Sequence, residues 1–489
     1  MKNLCFFSRS ELTYLYGSLH KYLKNKYNLI HIAYDNEDAK LLKESFGIEH
    51  PIIFKKEMEK IAHEDISKIT LEEIDNFILQ NTDGNFNANG ARAANRTSQF
   101  LSYEQNITLL KTYYLVWNSI FSQNKIDCFI HEPVALLMTQ IANCFCKKVK
   151  AIYATHIRLI GENKNSFDFS IVDGAIGTPF SLEKEYLSIT KKDIDENKDR
   201  IDSFIKNIRQ DNATFFSKMK VNGGISLKQY LFLKFKLYCI KAKRTILPKS
   251  FNPIVDNVDL FIYKDNLLQK RVQNLKKYKQ ITFDDLDTSK EYYYYPIHIE
   301  PEAVVIYWGN NKYSHQIKLI ENIAAQLPPN QFLYVKEHPL FFGYRDVQDY
   351  IRLKAIPNIK LLKTNTSGKE IIHYSKGVIT INGTSGFEAL MLNKQVITFG
   401  NSFYKISKRV HFLDNVFELK ELFYSLKNVS YEDDDELYHF TLAYLKNLLP
   451  GFTDFYSNMH KKLHINLDEN AKTVANSLDK WITFISSDE

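Results

Sequence analysis

Two short apolar runs that end in polar turns constrain this chain more than any other feature. The run 332–335 (FLYV) stops at KEHP (336–339), and the run 377–381 (GVITI) stops at the small-residue turn 382–385 (NGTS). Apolar runs of this length, bounded by turn residues, indicate buried parallel strands. Polar groups at the ends of such strands line the ligand crevice, and a turn that opens a helix offers free backbone N–H groups to a phosphate. The two runs therefore predict a nucleotide or nucleotide-sugar site.

The same alternation of apolar runs and helical patterns recurs in both halves of the chain. Its 489 residues are enough for two or three domains with large buried cores. Because strands alternate with helices, we predict two α/β domains with Rossmann-like parallel sheets, at 1–178 and 291–412. A helical, Lys-rich insertion or linker at 179–290 separates them. Helices at 413–489 follow, the last of which is predicted to pack back on the N-terminal domain.

Several individual elements follow from the local pattern. The N-terminal domain is predicted to open with strands at 3–7 and 29–34, and a long helix is predicted at 103–124. Residues 81–96 are rich in Asn, Gly and Ala without apolar periodicity, which indicates a surface loop. The apolar run 303–308 (AVVIYW) is predicted to be the first strand of the second α/β domain.

Bulk composition argues against several functional classes. The formal net charge of +7 is spread over the whole chain, so it is weak evidence for a nucleic-acid partner and suits anionic small substrates or an anionic membrane face at least as well. The five cysteines include no CxxC pair, which indicates buried thiols in a reducing compartment. No signal-peptide pattern opens the chain, and no run approaches about eighteen uncharged apolar residues. A cytoplasmic location without a transmembrane helix is therefore expected.

The two polar strand ends supply the candidate donor-binding residues. The His338 imidazole can donate a hydrogen bond to a phosphate, and Lys336 adds positive charge beside it. The turn lacks the Lys of a Walker A loop, but it offers two hydroxyls and backbone N–H groups to phosphate oxygens. Glu388, about one turn into the helix, can accept hydrogen bonds from ribose hydroxyls. The donor-side residues are Lys336, His338, Gly383, Thr384, Ser385, Gly386 and Glu388.

A second interpretation of the same turn is structural. Ser385 and Glu388 have the spacing of a capping box, in which the serine caps the helix and the glutamate closes the box. Capping and ligand binding do not exclude each other, so both interpretations stay open.

Two carboxylates and a histidine precede the predicted strand at 303–308. His298, Glu300 and Glu302 follow a run of four tyrosines, near the hinge between the two predicted domains. A carboxylate there can serve as nucleophile or base in glycosyl transfer. The alternative is a polar linker without a catalytic role.

Polar residues also follow two predicted strands of the N-terminal domain. His131 and Glu132 follow one strand, and His156 and Arg158 follow the next. Strand ends of one parallel sheet point into one crevice. Glu132 can then act as an acid/base catalyst, and Arg158 can hold an anionic substrate with His131 and His156 beside it. The alternative for each pair is a structural role.

Two charged segments each allow two interpretations. Residues 226–247 interleave aromatic and aliphatic side chains with Lys and Arg. This pattern suits a basic amphipathic face on an anionic membrane, or a packed helix with a solvated Lys face. The acidic run 432–436 suits a solvated turn better than a metal site, and no metal is predicted.

Taken together, the motifs resemble those of a known family. The segments PIHIEPE (296–302), KEHP (336–339) and GTSGFEAL (383–390) occur in this order within residues 290–405. In this the chain resembles the capsule polysaccharide biosynthesis family, bacterial GT-B glycosyltransferases that include the β-Kdo transferases of capsule and O-antigen assembly. The resemblance implies a GT-B-like α/β fold, in which two Rossmann-like domains face each other across a cleft and the C-terminal one holds most of the donor nucleotide.

The resemblance also implies roles for individual residues. His338, Thr384 and Ser385 would hold the phosphate of CMP, and Glu388 would lie near the ribose. The carboxylate nucleophile of a retaining enzyme would fall on Glu302, where described members have Asp in a Gln-rich motif. The implied donor is CMP-Kdo or a related CMP-ulosonate.

From these observations we expect a cytoplasmic glycosyltransferase of surface polysaccharide biosynthesis. It would pass a sugar from a nucleotide-activated donor to a glycan or glycolipid acceptor, with no obligatory metal or other cofactor and no nucleic-acid partner. Peripheral contact with the inner face of the cytoplasmic membrane, or with a capsule assembly complex, is expected. Two rivals stay open: a GT-B-shaped sugar-nucleotide epimerase, and a non-catalytic nucleotide-fold subunit of a capsule assembly complex.

Overall fold

The chain forms two compact units, each with its own β-sheet. The computed structural model describes residues 1–62, 66–95, 101–162, 167–210, 270–275, 277–300, 302–309, 311–455 and 459–486, with scattered positions between 231 and 239. The first unit comprises the described residues of Met1–Ser188 and Ala443–Glu489, and the second those of Ile189–Asn252 and Asp256–Leu442. The structure thus divides the predicted segment 413–489 between the two units.

Strands and helices alternate through both units. The strands are β1 (Asn3–Ser8), β2 (Asn28–Ala33), β3 (Ile52–Ile53), β4 (Cys128–Ile130), β5 (Ile152–Arg158), β6 (Asp168–Asp173), β7 (Tyr292–Pro296), β8 (Phe332–Lys336), β9 (Ile359–Leu362), β10 (Gly377–Thr380), β11 (Gln395–Thr398), β12 (Val410–Phe412) and β13 (Leu449–Pro450). The α-helices are α1 (Leu12–Leu23), α2 (Asn36–Phe46), α3 (Phe54–Ala62), α4 (Leu71–Gln80), α5 (Ala88–Ala94), α6 (Tyr103–Gln123), α7 (Leu137–Lys148), α8 (Leu182–Ser188), α9 (Lys191–Glu196), α10 (Lys198–Arg209), α11 (Ala303–Ile306), α12 (Gln316–Gln326), α13 (Val347–Lys354), α14 (Gly368–Tyr374), α15 (Thr384–Met391), α16 (Leu419–Ser425), α17 (Asp435–Lys446), α18 (Met459–Lys462) and α19 (Leu467–Ser486). Short 3₁₀ helices cover Ile66–Lys68, Tyr278–Gln280, Pro339–Phe341, Phe403–Ile406 and Val416–Glu418.

The sheet of the first unit has the order β13-β6-β5-β4-β1-β2-β3. The strands from β5 to β3 run parallel, while β6 and β13 add antiparallel pairs at one edge. Residues Leu4 to Phe7 of β1 are fully buried, because helices cover both faces of this central strand.

The last helix packs against the first helix of the same unit. Val474, Leu478 and Trp481 of α19 share a hydrophobic core with Leu15 and Leu19 of α1. Lys21 of α1 and Lys26, which follows α1, form ion pairs with Asp468 and Asp479 of α19 beside these apolar contacts. The amphipathic C-terminal segment is therefore part of the first unit's core.

The sheet of the second unit is parallel throughout, with the order β12-β11-β10-β7-β8-β9. Four consecutive tyrosines, Tyr292 to Tyr295, form β7 at its centre and are at most 2% exposed. Aromatic residues suit a strand that is buried on both faces, provided that each hydroxyl finds a partner. The Tyr292 hydroxyl donates to the Ile371 carbonyl at 2.8 Å, and the Tyr293 hydroxyl donates to Gln395 Oε1 at 2.6 Å.

The predicted strand at 303–308 is wrong. The first strand of the second unit is β7, and residues 303–306 form the short helix α11, whose Val305 and Ile306 N–H groups bond to the Glu302 carbonyl. A short apolar run cannot be assigned to strand or buried helix by periodicity, and the tyrosine run takes the central strand position. The acidic motif that was expected before the first strand therefore follows it, at the carboxyl end.

Two further predictions need correction. Part of the predicted loop 81–96 is the helix α5, which Asn87 caps by accepting a hydrogen bond from the Gly90 N–H at 2.7 Å. The segment 155–158 lies inside β5, because the antiparallel neighbour β6 extends this strand beyond the parallel part. The acidic run 432–436 is exposed over 432–435, as expected for a solvated turn, and it also forms ion pairs, among them Arg209 with Asp433 at 2.6 Å.

The predicted α/β class with two Rossmann-like sheets is confirmed. Their arrangement across a cleft stays a prediction, and the Lys and Arg residues of the segment 226–247 lie outside the described residues. Among the residues that the structure describes, no helix has the length and apolar character needed to cross a membrane.

Candidate functional site

The carboxyl ends of three neighbouring strands meet at one edge of the second sheet. β7 lies between β8 and β10 in this sheet. His298 follows β7, Lys336 ends β8 and His338 follows it, and Gly383 follows β10. The structure thus brings the donor-side residues that were predicted from separate motifs to one edge.

Burial at the end of β8 lowers the pKa values of Lys336 and His338. The Lys336 ammonium donates to the Thr366 carbonyl at 2.9 Å, and burial lowers its pKa to about 8, partly offset by the Glu388 carboxylate. Burial, reinforced by the charge of Lys336, lowers the pKa of His338 to about 4. Its Nδ1 accepts the Leu340 N–H at 3.2 Å, so at neutral pH the proton of this neutral imidazole lies on Nε2. His338 is therefore a hydrogen-bond donor through Nε2.

His298 lies against the turn after β10. Its Nε2 is 3.0 Å from Thr380 Oγ1, and that hydroxyl donates its own proton to the Asn382 carbonyl at 2.7 Å. His298 must therefore donate from Nε2 to Thr380. Burial, with the neighbouring His338 and Arg345, lowers the pKa of His298 to about 3, so the ring is neutral at physiological pH.

The turn after β10 requires glycine. Gly383 has φ +120°, and a Cβ added there would lie 3.0 Å from His298 Cε1. Asn382 Oδ1 accepts the Gly383 N–H at 2.6 Å, and the Tyr404 hydroxyl donates to the Gly383 carbonyl at 3.0 Å. These contacts fix the turn and leave it close to the His298 ring.

The capping-box interpretation of Ser385 and Glu388 is wrong. The helix α15 begins at Thr384, with Gly383 as its N-cap and no side-chain capping bond. The N–H groups of Thr384 and Ser385 bond to no carbonyl or side chain within the described part of the chain. Unpaired N–H groups at the positive end of a helix dipole are suited to an anion.

Glu300 belongs to a buried network rather than to an open carboxylate site. Its Oε2 accepts Arg345 Nη1 at 2.6 Å, and its Oε1 accepts the Gln316 N–H at 3.0 Å and Nε2 at 2.8 Å. Arg345 also donates to the fully buried Glu337 at 2.5 Å. Glu302, two positions beyond Glu300, is half-buried at the start of α11, and its catalytic role stays a prediction.

In the first unit, His131 and Glu132 lie at the carboxyl end of β4. The buried His131 Nδ1 donates to the Phe7 carbonyl at 2.7 Å. Glu132 Oε1 forms an ion pair with Arg9 Nη2 at 2.6 Å. Both positions agree with the expected strand end, while the acceptor and acid/base roles stay predictions.

His156 lies inside β5, and Arg158 is the last residue of that strand. His156 Nε2 is 3.0 Å from the Tyr16 hydroxyl of α1, and burial with the neighbouring His131 lowers its pKa to about 4. Arg158 Nη1 lies 3.8 Å from Asp454, and burial lowers its pKa. β5 thus continues past Ala154, where the predicted strand ended, so His156 is inside the strand and Arg158 is at its observed end, while their roles stay predictions.

A family comparison places the second-unit motifs in a known group. The model described as "Capsule polysaccharide biosynthesis protein" matches residues 253–408, about a third of the chain. The predicted resemblance to this family is confirmed. The matched segment contains His298, Lys336, His338 and the turn at 383–386.

Individual relatives match shorter segments. Protein FixF of Sinorhizobium fredii (strain NBRC 101917 / NGR234) is 32% identical over 135 residues, 26% of this chain and 31% of that protein. Capsule polysaccharide export protein KpsS of Escherichia coli is 27% identical over 93 residues, 18% of this chain and 24% of that protein. The matches thus span less than a third of either relative. Among solved structures, the β-Kdo 2,4 transferase of Thermosulfurimonas dismutans KpsC has 13% identity and a TM-score of 0.37, covering 67% of this chain and 82% of that one.

The sequence did not point to several residues that organise this edge. Arg345 stands in a loop after β8, Gln316 opens α12, and Thr380 ends β10. None of them lies in a recognisable motif. In the sequence, Arg345 ends the segment FFGYR, an apolar turn with a glycine. This pattern does not indicate that the arginine is buried.

Proposed function

We propose that the chain is a glycosyltransferase of capsular or O-antigen polysaccharide biosynthesis. It would take a sugar from a nucleotide-activated donor, CMP-Kdo or a related CMP-ulosonate, and pass it to a glycan or glycolipid acceptor. The family match over residues 253–408 supports the class of protein. The proposed location is the cytoplasm, at the inner face of the membrane.

One observation carries the donor site: hydrogen-bond donors that follow two strands, β8 and β10, lie together at one edge of the sheet. Lys336, the His338 Nε2–H and the N–H groups of Thr384 and Ser385 lie at the same sheet edge. Burial lowers the pKa of Lys336 despite the nearby Glu388 carboxylate, and burial together with the charge of Lys336 lowers that of His338. A phosphate would add its negative charge to that of Glu388 and favour the protonated forms of both groups.

The chemistry follows from these groups. As the bond between the anomeric carbon and the phosphate oxygen breaks, its electron pair leaves on the phosphate of CMP. Lys336, His338 and the start of α15 would stabilise that developing charge. In the retaining form of the proposal, the Glu302 carboxylate attacks the anomeric carbon, and the acceptor oxygen then displaces it. Glu132 is the proposed base for the acceptor proton.

Nucleotide binding tests the donor site. The melting temperature would be measured with CMP, UDP, GDP and CDP for the wild type, His338→Ala and the control His373→Ala. His373 is an exposed histidine of α14 in the same unit. A ligand at a hundred times its Kd stabilises by about 2.7 kcal/mol, so a clear shift with CMP is expected for the wild type and the control but not for His338→Ala. The absence of a shift with every nucleotide would contradict the donor site.

A second measurement separates transfer from epimerisation. The protein would be incubated with CMP-Kdo plus acceptor glycan, and separately with a UDP-sugar and no acceptor. Release of CMP with a lengthened glycan is expected in the first case and no change in the second. Conversion of the UDP-sugar alone would replace the proposal with the epimerase reading.

A further inference from the structure

A single buried arginine links the two strand ends that carry the site histidines. Arg345 is 3% exposed. Its Nε donates to Glu337 at 2.5 Å, and its Nη1 donates to Glu300 at 2.6 Å. Glu337 follows β8 and Glu300 follows β7, so one guanidinium bridges the loops after two neighbouring strands.

On the β8 side, Glu337 connects Arg345 to the main chain of His338. Glu337 is fully buried, and its Oε1 accepts the His338 N–H at 2.8 Å. Its Oε2 accepts Arg345 Nε and also the Tyr350 hydroxyl at 2.8 Å. The carboxylate thus fixes the main chain of His338 while Arg345 and Tyr350 fix the carboxylate.

On the β7 side, the bridge leads to His298. Gln316 Oε1 accepts the His298 N–H at 2.8 Å, and Gln316 Nε2 donates to the His298 carbonyl at 3.1 Å. Glu300 holds the Gln316 amide in this orientation by accepting from its Nε2 at 2.8 Å. Arg345 Nη2 adds a weaker contact with the His298 carbonyl at 3.3 Å.

Arg345 is itself held by the segment that precedes β7. Its carbonyl accepts Asn274 Nδ2 at 2.7 Å and the Tyr278 hydroxyl at 2.5 Å. A planar guanidinium holds its N–H donors on three nitrogens in one rigid plane, a geometry that the single nitrogen of an ammonium group cannot reproduce. The loop and the side chain are therefore both fixed before any ligand arrives.

We propose that Arg345 is a positioning residue that sets the separation and orientation of His298 and His338, so that the donor phosphate meets a preformed site. It touches neither the proposed phosphate position nor the reacting atoms and acts through Glu300, Gln316 and Glu337. This inference rests on the proposed donor site. A displacement of about 1 Å in such a constellation lowers activity by on the order of 100-fold.

The decisive variant is Arg345→Lys. It keeps the positive charge between Glu300 and Glu337 but cannot hold both carboxylates in the same geometry. A role that depends only on charge would survive this change, and a positioning role would not. The matched control is Arg352→Lys on α13, because Arg352 also pairs with a glutamate, Glu321 at 2.6 Å, but at the surface.

Two readouts are needed, because loss of affinity alone would also follow from partial unfolding. The first is the Kd for CMP by calorimetry, expected to rise in Arg345→Lys and to stay unchanged in Arg352→Lys. The second is the set of histidine side-chain resonances in the folded, unliganded protein. Those of His298 and His338 should both move in Arg345→Lys, while that of the exposed His373 should not.

Each outcome decides the matter. If the wild type binds CMP and a folded Arg345→Lys protein binds it equally well with unmoved resonances, the positioning role is refuted while the donor site stands. If the wild type binds no nucleotide, the donor site fails, and unmoved resonances would refute the positioning role separately.

If Arg345→Lys does not fold, Tyr350→Phe and Glu300→Gln each remove one contact of the network. Wild-type CMP affinity in both would refute the inference, and weaker binding in both would support it.

Discussion

Replacing Lys336 with methionine should stabilise the unliganded protein and weaken nucleotide binding at the same time. The ordinary pKa of lysine is about 10.4, and one pKa unit corresponds to about 1.36 kcal/mol. A pKa of about 8 for Lys336 therefore corresponds to roughly 3 kcal/mol against the charged side chain in the folded state. Methionine removes that cost but leaves the Thr366 carbonyl without its donor, a loss of about 1 kcal/mol. The net expectation is a gain of about 2 kcal/mol in the free energy of unfolding at pH 7.

The pH dependence of the free energy of unfolding tests whether the lowered pKa of Lys336 causes this difference. The pKa of Lys336 is lower in the folded than in the unfolded protein, so the unfolded chain binds more protons between about pH 8 and about pH 10.4. Over this window, Lys336 makes the wild type more stable as the pH rises. The variant lacks this contribution, so its advantage should be full below about pH 8 and should disappear above about pH 10.4.

Urea unfolding at several pH values, followed by far-UV circular dichroism, measures the effect, and calorimetry measures CMP binding. Lys318→Met is the control, because Lys318 is an exposed lysine of α12 whose ion pair is with the glutamate three residues on, at the surface. Its effect should stay within about 0.5 kcal/mol. A Lys336→Met protein that is less stable than the wild type at pH 7, or that binds CMP with unchanged affinity, would refute the reasoning.

Three further outcomes are expected at the same site. Gly383→Ala should destabilise by about 1–3 kcal/mol in urea unfolding and weaken CMP binding, since Gly383 has φ +120° and its Cβ would crowd His298. Gly84→Ala, at φ +74° with open space around the Cβ, should cost less, and equal losses would remove the steric argument. Glu302→Gln should abolish sugar transfer while the CMP affinity persists, and normal turnover would exclude it as the nucleophile. CMP affinity should fall as the pH rises through about 8 in the wild type and stay flat in Lys336→Met, because a bound phosphate favours the charged ammonium of Lys336.

The local sequence pattern was sufficient to predict those strands and helices whose structure depends mainly on their own residues. The apolar runs that became β8 and β10 ended where polar residues begin, and the helix α6 was predicted within one residue of its observed ends. Local pattern failed at 303–308, because a short apolar run fits a strand or a buried helix equally well until its neighbours are known. It failed again at 155–158, because β6, a strand formed by distant residues, extends β5.

The sequence alone determined the alternation of strands and helices, the polar residues at the strand ends, and the resemblance to capsule polysaccharide biosynthesis proteins. Only the tertiary structure showed that Glu300, proposed from sequence as a catalytic carboxylate, is bound to Arg345 and Gln316. The tertiary structure also showed that α15 begins at Thr384. This start excludes the capping box and leaves the Thr384 and Ser385 N–H groups unpaired among the described residues. The physical reason is the same in each case. Side-chain identity is local, but hydrogen-bond partners and burial depend on residues far apart in the chain, and these determine which polar groups remain available to a ligand.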